Sequence, residues 1–170
     1  MNFRPHHFLC SLGFRGKGYS PEFVDHFQKI VDQLSAADAD EIEIRVVEHT
    51  DSICEPCPNK RGKECTTQEK ILTLDRAHQK VLGFKHGQNI KWGDAKKQIA
   101  QKMSVSAFHK ACEPCSWKSL GYCESALKEL KSKMALLIVG ALLFAGQSMA
   151  ANASVQKFLN SQAAHSEYID

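Results

Sequence analysis

The sequence predicts an α+β fold, mainly helical: a single small metal-stabilised domain with a short two-stranded element and a C-terminal apolar helix. Three observations favour this fold: two long segments with apolar residues at helical spacing, one short segment of alternating apolar residues, and a cysteine motif that occurs twice. A chain of 170 residues suffices for one domain with its own core and an appendage. We place the cysteine-rich metal-binding domain at residues 1–133 and an appended apolar segment with a polar tail at residues 134–170.

The N-terminal residues predict a first helix that carries candidate metal ligands. Pro5 suits the first turn of a helix, in which His6 and His7 precede Cys10 by four and three residues. One or both imidazoles would then share a helix face with the thiol. The alternative is that apolar neighbours anchor the helix in the core while the histidines are ordinary surface groups.

The other helices are predicted from apolar spacing and from residues that begin or end a helix. Ser20 and Pro21 begin a helix that ends near Leu34, and Gly83 is placed to end a second helix over residues 67–82. Further helices are predicted at residues 94–103, 106–112 and 124–133.

The alternating segment predicts the two-stranded element. Ile42, Ile44 and Val46 lie on one side of residues 41–48 and charged residues lie on the other, as in a half-buried strand. Residues 89–92 are expected to form the second strand. The first strand leads directly into the first cysteine motif.

The duplicated cysteine motif has the form C-E-P-C-x7-C. Its two copies comprise Cys54, Cys57 and Cys65, and Cys112, Cys115 and Cys123. Thiolates three positions apart across a tight turn can point the same way, and the proline after the glutamate restricts that turn. Each copy therefore offers three sulfurs to a metal and leaves one coordination position open. Apolar residues of the second loop, Trp117, Leu120 and Tyr122, are expected to give that copy a drier wall.

Composition and charge narrow the class of protein. The net charge of +3 is mild and the lysines are scattered, so nucleic-acid binding is not indicated. An odd number of cysteines with C-x2-C spacing favours metal ligation in a reducing compartment over a disulfide framework. Residues 1–12 contain Arg4, Pro5 and two histidines where a signal peptide needs an apolar core, so we expect the domain in the cytoplasm.

The C-terminal segment has a different composition. Residues 134–146 are wholly apolar and follow a lysine-rich stretch, a pattern that resembles a bacterial signal peptide in the wrong place. The run is shorter than the ~20 residues that span a bilayer comfortably. Three interpretations stay open for residues 134–150: a helix that packs on the domain or on a second copy to form a homo-oligomer, a short or tilted membrane anchor, and a fusion artefact.

Four motifs together resemble one known family. They are R-P-H-H-F-L-C at residues 4–10, G-K-G-Y-S at 16–20, I-C-x-x-C-P-N at 53–59 and C-x-x-C-x-W-x-x-L-G-Y-C at 112–123. In this order they resemble the bacterial and archaeal family called domain of unknown function 1284, over about residues 1–130. The resemblance implies a small one-domain protein with a metal or iron–sulfur site, and it supplies no substrate. The tail from residue 134 lies outside it.

The first functional hypothesis is an iron–sulfur protein with a redox or sensing role and an unidentified redox or protein partner. Cys112, Cys115 and Cys123, with Cys10 as the fourth ligand, would hold a [4Fe–4S] cluster. The first copy would hold a second metal site or cluster through a set completed by His6 or His7. That set is Cys54, Cys57 and Cys65 with either histidine.

Two other hypotheses use the same residues. A zinc-stabilised binding module without catalytic activity would use four cysteines, or three cysteines and a histidine, at each site. Thiol–disulfide exchange at either C-E-P-C is the third. Whether the protein is an enzyme is left open by the sequence.

Overall fold

A computed structural model describes residues 1–136 of the chain. Within that range six α-helices and five short strands confirm the predicted, mainly helical α+β class. The helices are α1 His7–Gly13, α2 Pro21–Leu34, α3 Gln68–Leu82, α4 Trp92–Lys102, α5 Val105–Ala111 and α6 at 122–136. The strands are β1 Asn2–Phe3, β2 Glu43–Val46, β3 Lys60–Arg61, β4 Glu64–Cys65 and β5 Asn89–Lys91.

Both cysteine motifs lie in one compact unit, Met1–Lys131. A second unit comprises Ser132–Asp170, of which only residues 132–136 are described, as a continuation of α6. The three interpretations of residues 134–150 therefore fall almost wholly outside the described residues. Among the helices of residues 1–136, none combines the length and apolar character that crossing a membrane requires.

The central sheet has three strands in the order β1-β2-β5. The predicted pairing is present, because β2 and β5 run antiparallel with Ile44 opposite Ile90. The sequence did not predict β1, which adds in parallel with Phe3 opposite Val46. This strand ties the N-terminus to the middle of the fold, so the residues that follow it enter the interior.

Helix ends follow the expected local chemistry at Ser20 and Gly83, whereas the helix predicted to begin at Asp94 begins at Trp92, with Asp94 in its first turn. The Ser20 hydroxyl accepts a hydrogen bond from the Phe23 N–H and caps α2, and Gly83 ends α3 in the left-handed conformation at φ +76°. The helix predicted to begin at Ser106 begins at Val105 instead. Ser104 is its cap, since its hydroxyl accepts from the Ala107 N–H.

The core surrounds α1. Phe8 and Leu9 are fully buried, and the Phe8 ring packs against Phe84 with centroids 4.5 Å apart and edge-on to Phe3 at 5.3 Å. Trp92 lies beside them and donates its indole N–H to the Leu34 carbonyl. Because these contacts hold α1 firmly, the side chains of its other face have definite positions.

Candidate metal centre

Asp51 connects the N-terminal segment to the first cysteine motif. Its Oδ2 accepts hydrogen bonds from the Arg4 backbone N–H and from His7 Nδ1, both at 2.6 Å. Its Oδ1 accepts from the backbone N–H groups of Ile53 at 3.1 Å and Cys54 at 3.2 Å. Burial opposes ionisation of Asp51, but the charge of His7 and these hydrogen bonds outweigh it and lower the pKa of the carboxyl.

A compact donor group follows from this arrangement. The donor atoms of His7, Asp51 and Cys54 all lie within 4.8 Å of one another, and within residues 1–136 this is the only set of three or more such donors at that spacing. Nitrogen, oxygen and sulfur donors of these types bind zinc. In this structure Nδ1 of His7 faces Asp51, so either a metal replaces the proton between them, or Asp51 orients the ring and leaves Nε2 for the metal.

A second histidine is held in the same way. Nδ1 of His6 lies 2.5 Å from Oδ1 of Asp75, and Arg4 Nε donates to Oδ2 of Asp75 at 2.7 Å. Burial opposes the charge of Asp75, but the hydrogen bond and charge of His6, together with Arg4, lower its pKa to about 2. Burial and the neighbouring His7 lower the pKa of His6. Because Nδ1 of His6 faces Asp75, Nε2 is the ring nitrogen left for a metal.

The two C-E-P-C segments form the same tight turn, as predicted. The Cys57 N–H donates to the Cys54 carbonyl at 3.0 Å, and the Cys115 N–H donates to the Cys112 carbonyl at 3.0 Å. The first copy is completed by the β3–β4 hairpin, in which Cys65 lies opposite Lys60.

Cys10 lies beside the second copy of the motif. Interaction with the Cys123 side chain, burial, and the nearby thiols of Cys115 and Cys112 raise the pKa of Cys10 well above its ordinary value. The interaction with Cys10 lowers the pKa of Cys123. Cys10, Cys112, Cys115 and Cys123, called here the Cys10 quartet, line one small cavity. The structure thus brings the four residues together, and their role as ligands stays a prediction.

His78 is a site residue that the sequence did not reveal. It lies on α3 and is 1% exposed. Its Nδ1 donates to the Leu74 carbonyl at 2.8 Å, and its Nε2 lies 3.4 Å from Cys112 Sγ. Burial lowers the pKa of His78 to about 4, so the ring is neutral and Nε2 can accept from the thiol. Its spacing of four from Leu74 and from Leu82 places it on the apolar face of α3, a pattern that could have indicated burial.

The remaining predicted ligands face a larger cavity of about 290 Å³, called here the central cavity. Its wall includes the predicted first-copy set, namely Cys54, Cys57, Cys65, His6 and His7. Cys10 and Cys115 also line it, so the two candidate sites border the same space. Burial raises the pKa of Cys54, and backbone and side-chain hydrogen bonds around Thr67 lower the pKa of Cys65 against the opposing effect of burial.

The second loop is less dry than expected. Leu120 and Tyr122 are each 41% exposed, so they do not form the predicted apolar wall. Trp117 is partly buried and lines the central cavity, where its ring packs against Tyr19 with centroids 4.8 Å apart. The apolar wall therefore lies towards the central cavity.

Comparison with known proteins identifies a family. The model of the family described as "Protein of unknown function (DUF1284)" matches residues 18–121. The matched range contains both C-E-P-C turns, but it begins after His6, His7 and Cys10 and ends before Cys123. It is therefore shorter than the resemblance expected over residues 1–130. No curated protein and no solved structure matches the chain. Since the family model covers more than half of its residues, the chain belongs to the DUF1284 family of proteins of unknown function.

Proposed function

We propose that this protein binds a [4Fe–4S] cluster through the Cys10 quartet and has a redox or sensing role. The observation that carries the proposal is that Cys10 and Cys123, more than a hundred residues apart in sequence, line one small cavity together with Cys112 and Cys115. All seven cysteines lie within the described residues and all are free thiols. Four cysteine thiolates are the donor set that such a cluster requires.

The quartet does not form a compact three-donor group. Sulfurs around one tetrahedral zinc ion lie about 3.8 Å apart, given a zinc–sulfur distance of about 2.3 Å. Within residues 1–136, no three of the four quartet sulfurs lie within 4.8 Å of one another, so a single ion would require the sulfurs to move closer together.

Residues around the quartet prepare it for a metal. Gly13 lets α1 approach Cys123 closely, and the neutral ring of His78 places Nε2 3.4 Å from Cys112 Sγ, which holds that sulfur in position. When bound, a cluster would supply one-electron transfer at the edge of the central cavity. The first copy, with His6 or His7, would hold a second metal.

Zinc is the alternative, and two observations favour it. The compact group of His7, Asp51 and Cys54 has the spacing of a single ion's ligands. The small cavity among the quartet has a volume of about 20 Å³, which has room for one ion. In this alternative the protein is a zinc-stabilised module without catalytic activity.

Anaerobic purification of the full chain tests the proposal. We expect broad visible absorbance that bleaches on reduction, with iron and inorganic sulfide in equal amounts. Cys10→Ser and Cys123→Ser should lose this absorbance, whereas the matched variant Cys54→Ser should retain it. Colourless protein that carries zinc and no sulfide would contradict the iron–sulfur proposal and support the alternative.

A further inference from the structure

The central cavity contains a buried cation with unused hydrogen-bond donors. Arg4 lines the cavity and its side chain is 1% exposed. One edge of the guanidinium is occupied, because Nε donates to Asp75 at 2.7 Å. Nη1 and Nη2 are buried and have no hydrogen-bond partner within residues 1–136. A folded protein seldom leaves two charged donors unsatisfied in its interior, so this position is suited to an anionic acceptor.

The nearby carboxylates are already engaged. Asp75 is shared between Arg4 Nε and His6, and Asp51 accepts from His7 and from backbone N–H groups. Lys70, the other cation of the wall, donates to the Ser116 hydroxyl at 2.6 Å. Within residues 1–136 these groups leave Nη1 and Nη2 without an acceptor, which an anionic ligand in the cavity would supply.

One part of the cavity wall is apolar and aromatic. Tyr19 packs against Trp117 with ring centroids 4.8 Å apart and against Phe23 at 5.4 Å, and all three line the cavity. Ile71 and Leu74 of α3 add aliphatic surface. Pockets with a mainly apolar wall and a few placed polar groups bind small organic molecules, and a volume of about 290 Å³ suits a small one.

We propose that the central cavity binds a small organic carboxylate. Its carboxylate pairs with Nη1 and Nη2 of Arg4, since the planar guanidinium matches two carboxylate oxygens. Its apolar body packs against the rings of Tyr19 and Trp117. The inference rests on Arg4 and on the part of the cavity wall formed by Tyr19 and Trp117.

Calorimetric titration of metal-loaded, full-length protein with phenylacetate tests this inference. We expect saturable binding of one phenylacetate per chain and at least about tenfold weaker binding of phenylacetamide, which has the same ring and no charge. Inorganic phosphate should also bind at least about tenfold more weakly, because it cannot use the aromatic wall. Equal binding of phosphate or of phenylacetamide, or no saturable binding of phenylacetate, would overturn the proposal.

Variants test the role of Arg4. Arg4→Lys keeps the positive charge but lacks the paired N–H donors, Nη1 and Nη2, of the guanidinium. Phenylacetate affinity should therefore fall at least about tenfold. The control is Arg45→Lys on the exposed face of β2, which should bind normally. Ile71→Trp fills the cavity without changing Arg4 and should also abolish phenylacetate binding. This second variant tests the proposal even if Arg4→Lys does not fold. The metal content of each sample is measured as well. If folded Arg4→Lys or Ile71→Trp binds phenylacetate as tightly as the unchanged protein, the proposed carboxylate site is refuted.

Discussion

Gly13 of α1 lies directly against Cys123. A Cβ atom placed on Gly13 would be 2.7 Å from the Cα atom and 2.8 Å from the Sγ atom of Cys123. Real Cβ atoms do not approach other atoms so closely, so the two segments can meet only because residue 13 has no side chain. Helix α1 also carries Cys10, so this contact sets the separation of the two cysteines.

Gly13→Ala should therefore reduce both stability and metal content. The added methyl group must push α1 away from Cys123, at a cost of about 1–3 kcal/mol in the free energy of unfolding. Denaturant unfolding and metal analysis measure the two effects. Gly93→Ala is the matched control, because its Cβ would lie 3.0 Å from Asp40, away from the cysteines. The Gly93→Ala variant should retain its metal. Full metal occupancy in Gly13→Ala would show that the contact between Gly13 and Cys123 does not position the Cys10 quartet.

Asp51→Asn should weaken metal binding at the compact donor group. The substitution removes a charged donor and the hydrogen-bond acceptor that orients His7, so we expect affinity to fall about 10–100-fold. A competition titration with a chromophoric zinc chelator measures this affinity. Glu55→Gln removes a carboxylate that is 74% exposed in the same C-E-P-C turn and should leave the affinity unchanged. Equal effects of the two variants would argue against a metal role for Asp51.

Asp75→Asn should destabilise the fold strongly. Asp75 and Arg4 form an ion pair whose side chains are 4% and 1% exposed, so the substitution leaves a buried guanidinium without its partner charge. We expect a loss of about 3–5 kcal/mol in the free energy of unfolding. Glu41→Gln breaks the exposed pair with Lys91 and should cost less than about 1 kcal/mol. The expectation fails if denaturant unfolding gives the two variants similar losses.

Removal of metal should destabilise the domain as a whole. The candidate ligands come from the N-terminal helix, two separated turns and α6, so a bound metal joins segments that separate on unfolding. Metal binding free energy then contributes to folding free energy. Thermal melting of chelated, reduced apoprotein should occur at a lower temperature than that of the metal-loaded protein, or without cooperativity. Equal, cooperative melting of both forms would exclude a structural role for the metal.

Deletion of residues 134–170 should leave the metal-binding domain intact. The family match ends at residue 121, and the compact unit with all seven cysteines ends at Lys131. Size-exclusion chromatography and metal analysis should show a metal-loaded monomer. Loss of metal on this deletion would mean that the tail belongs to the domain.

The sequence by itself determined the local elements of this protein. Helices α2 and α3 were predicted because apolar residues recur at helical spacing and because Ser20 and Gly83 mark their ends. Both C-E-P-C turns were predicted because their geometry depends on four consecutive residues. In each case the interactions that form the element join residues close together in the chain, so the pattern is visible in a short segment.

Only the tertiary structure decided which residues meet. His7 and Asp51 are 44 residues apart, and His6 and Asp75 are 69 residues apart, so neither pair leaves a local pattern. Strand β1 has two residues, too few to show alternation, yet its pairing with β2 brings the N-terminal ligands inside. Contacts of this kind depend on how whole elements pack, because a carboxylate orients a histidine only where the surrounding core holds both in place.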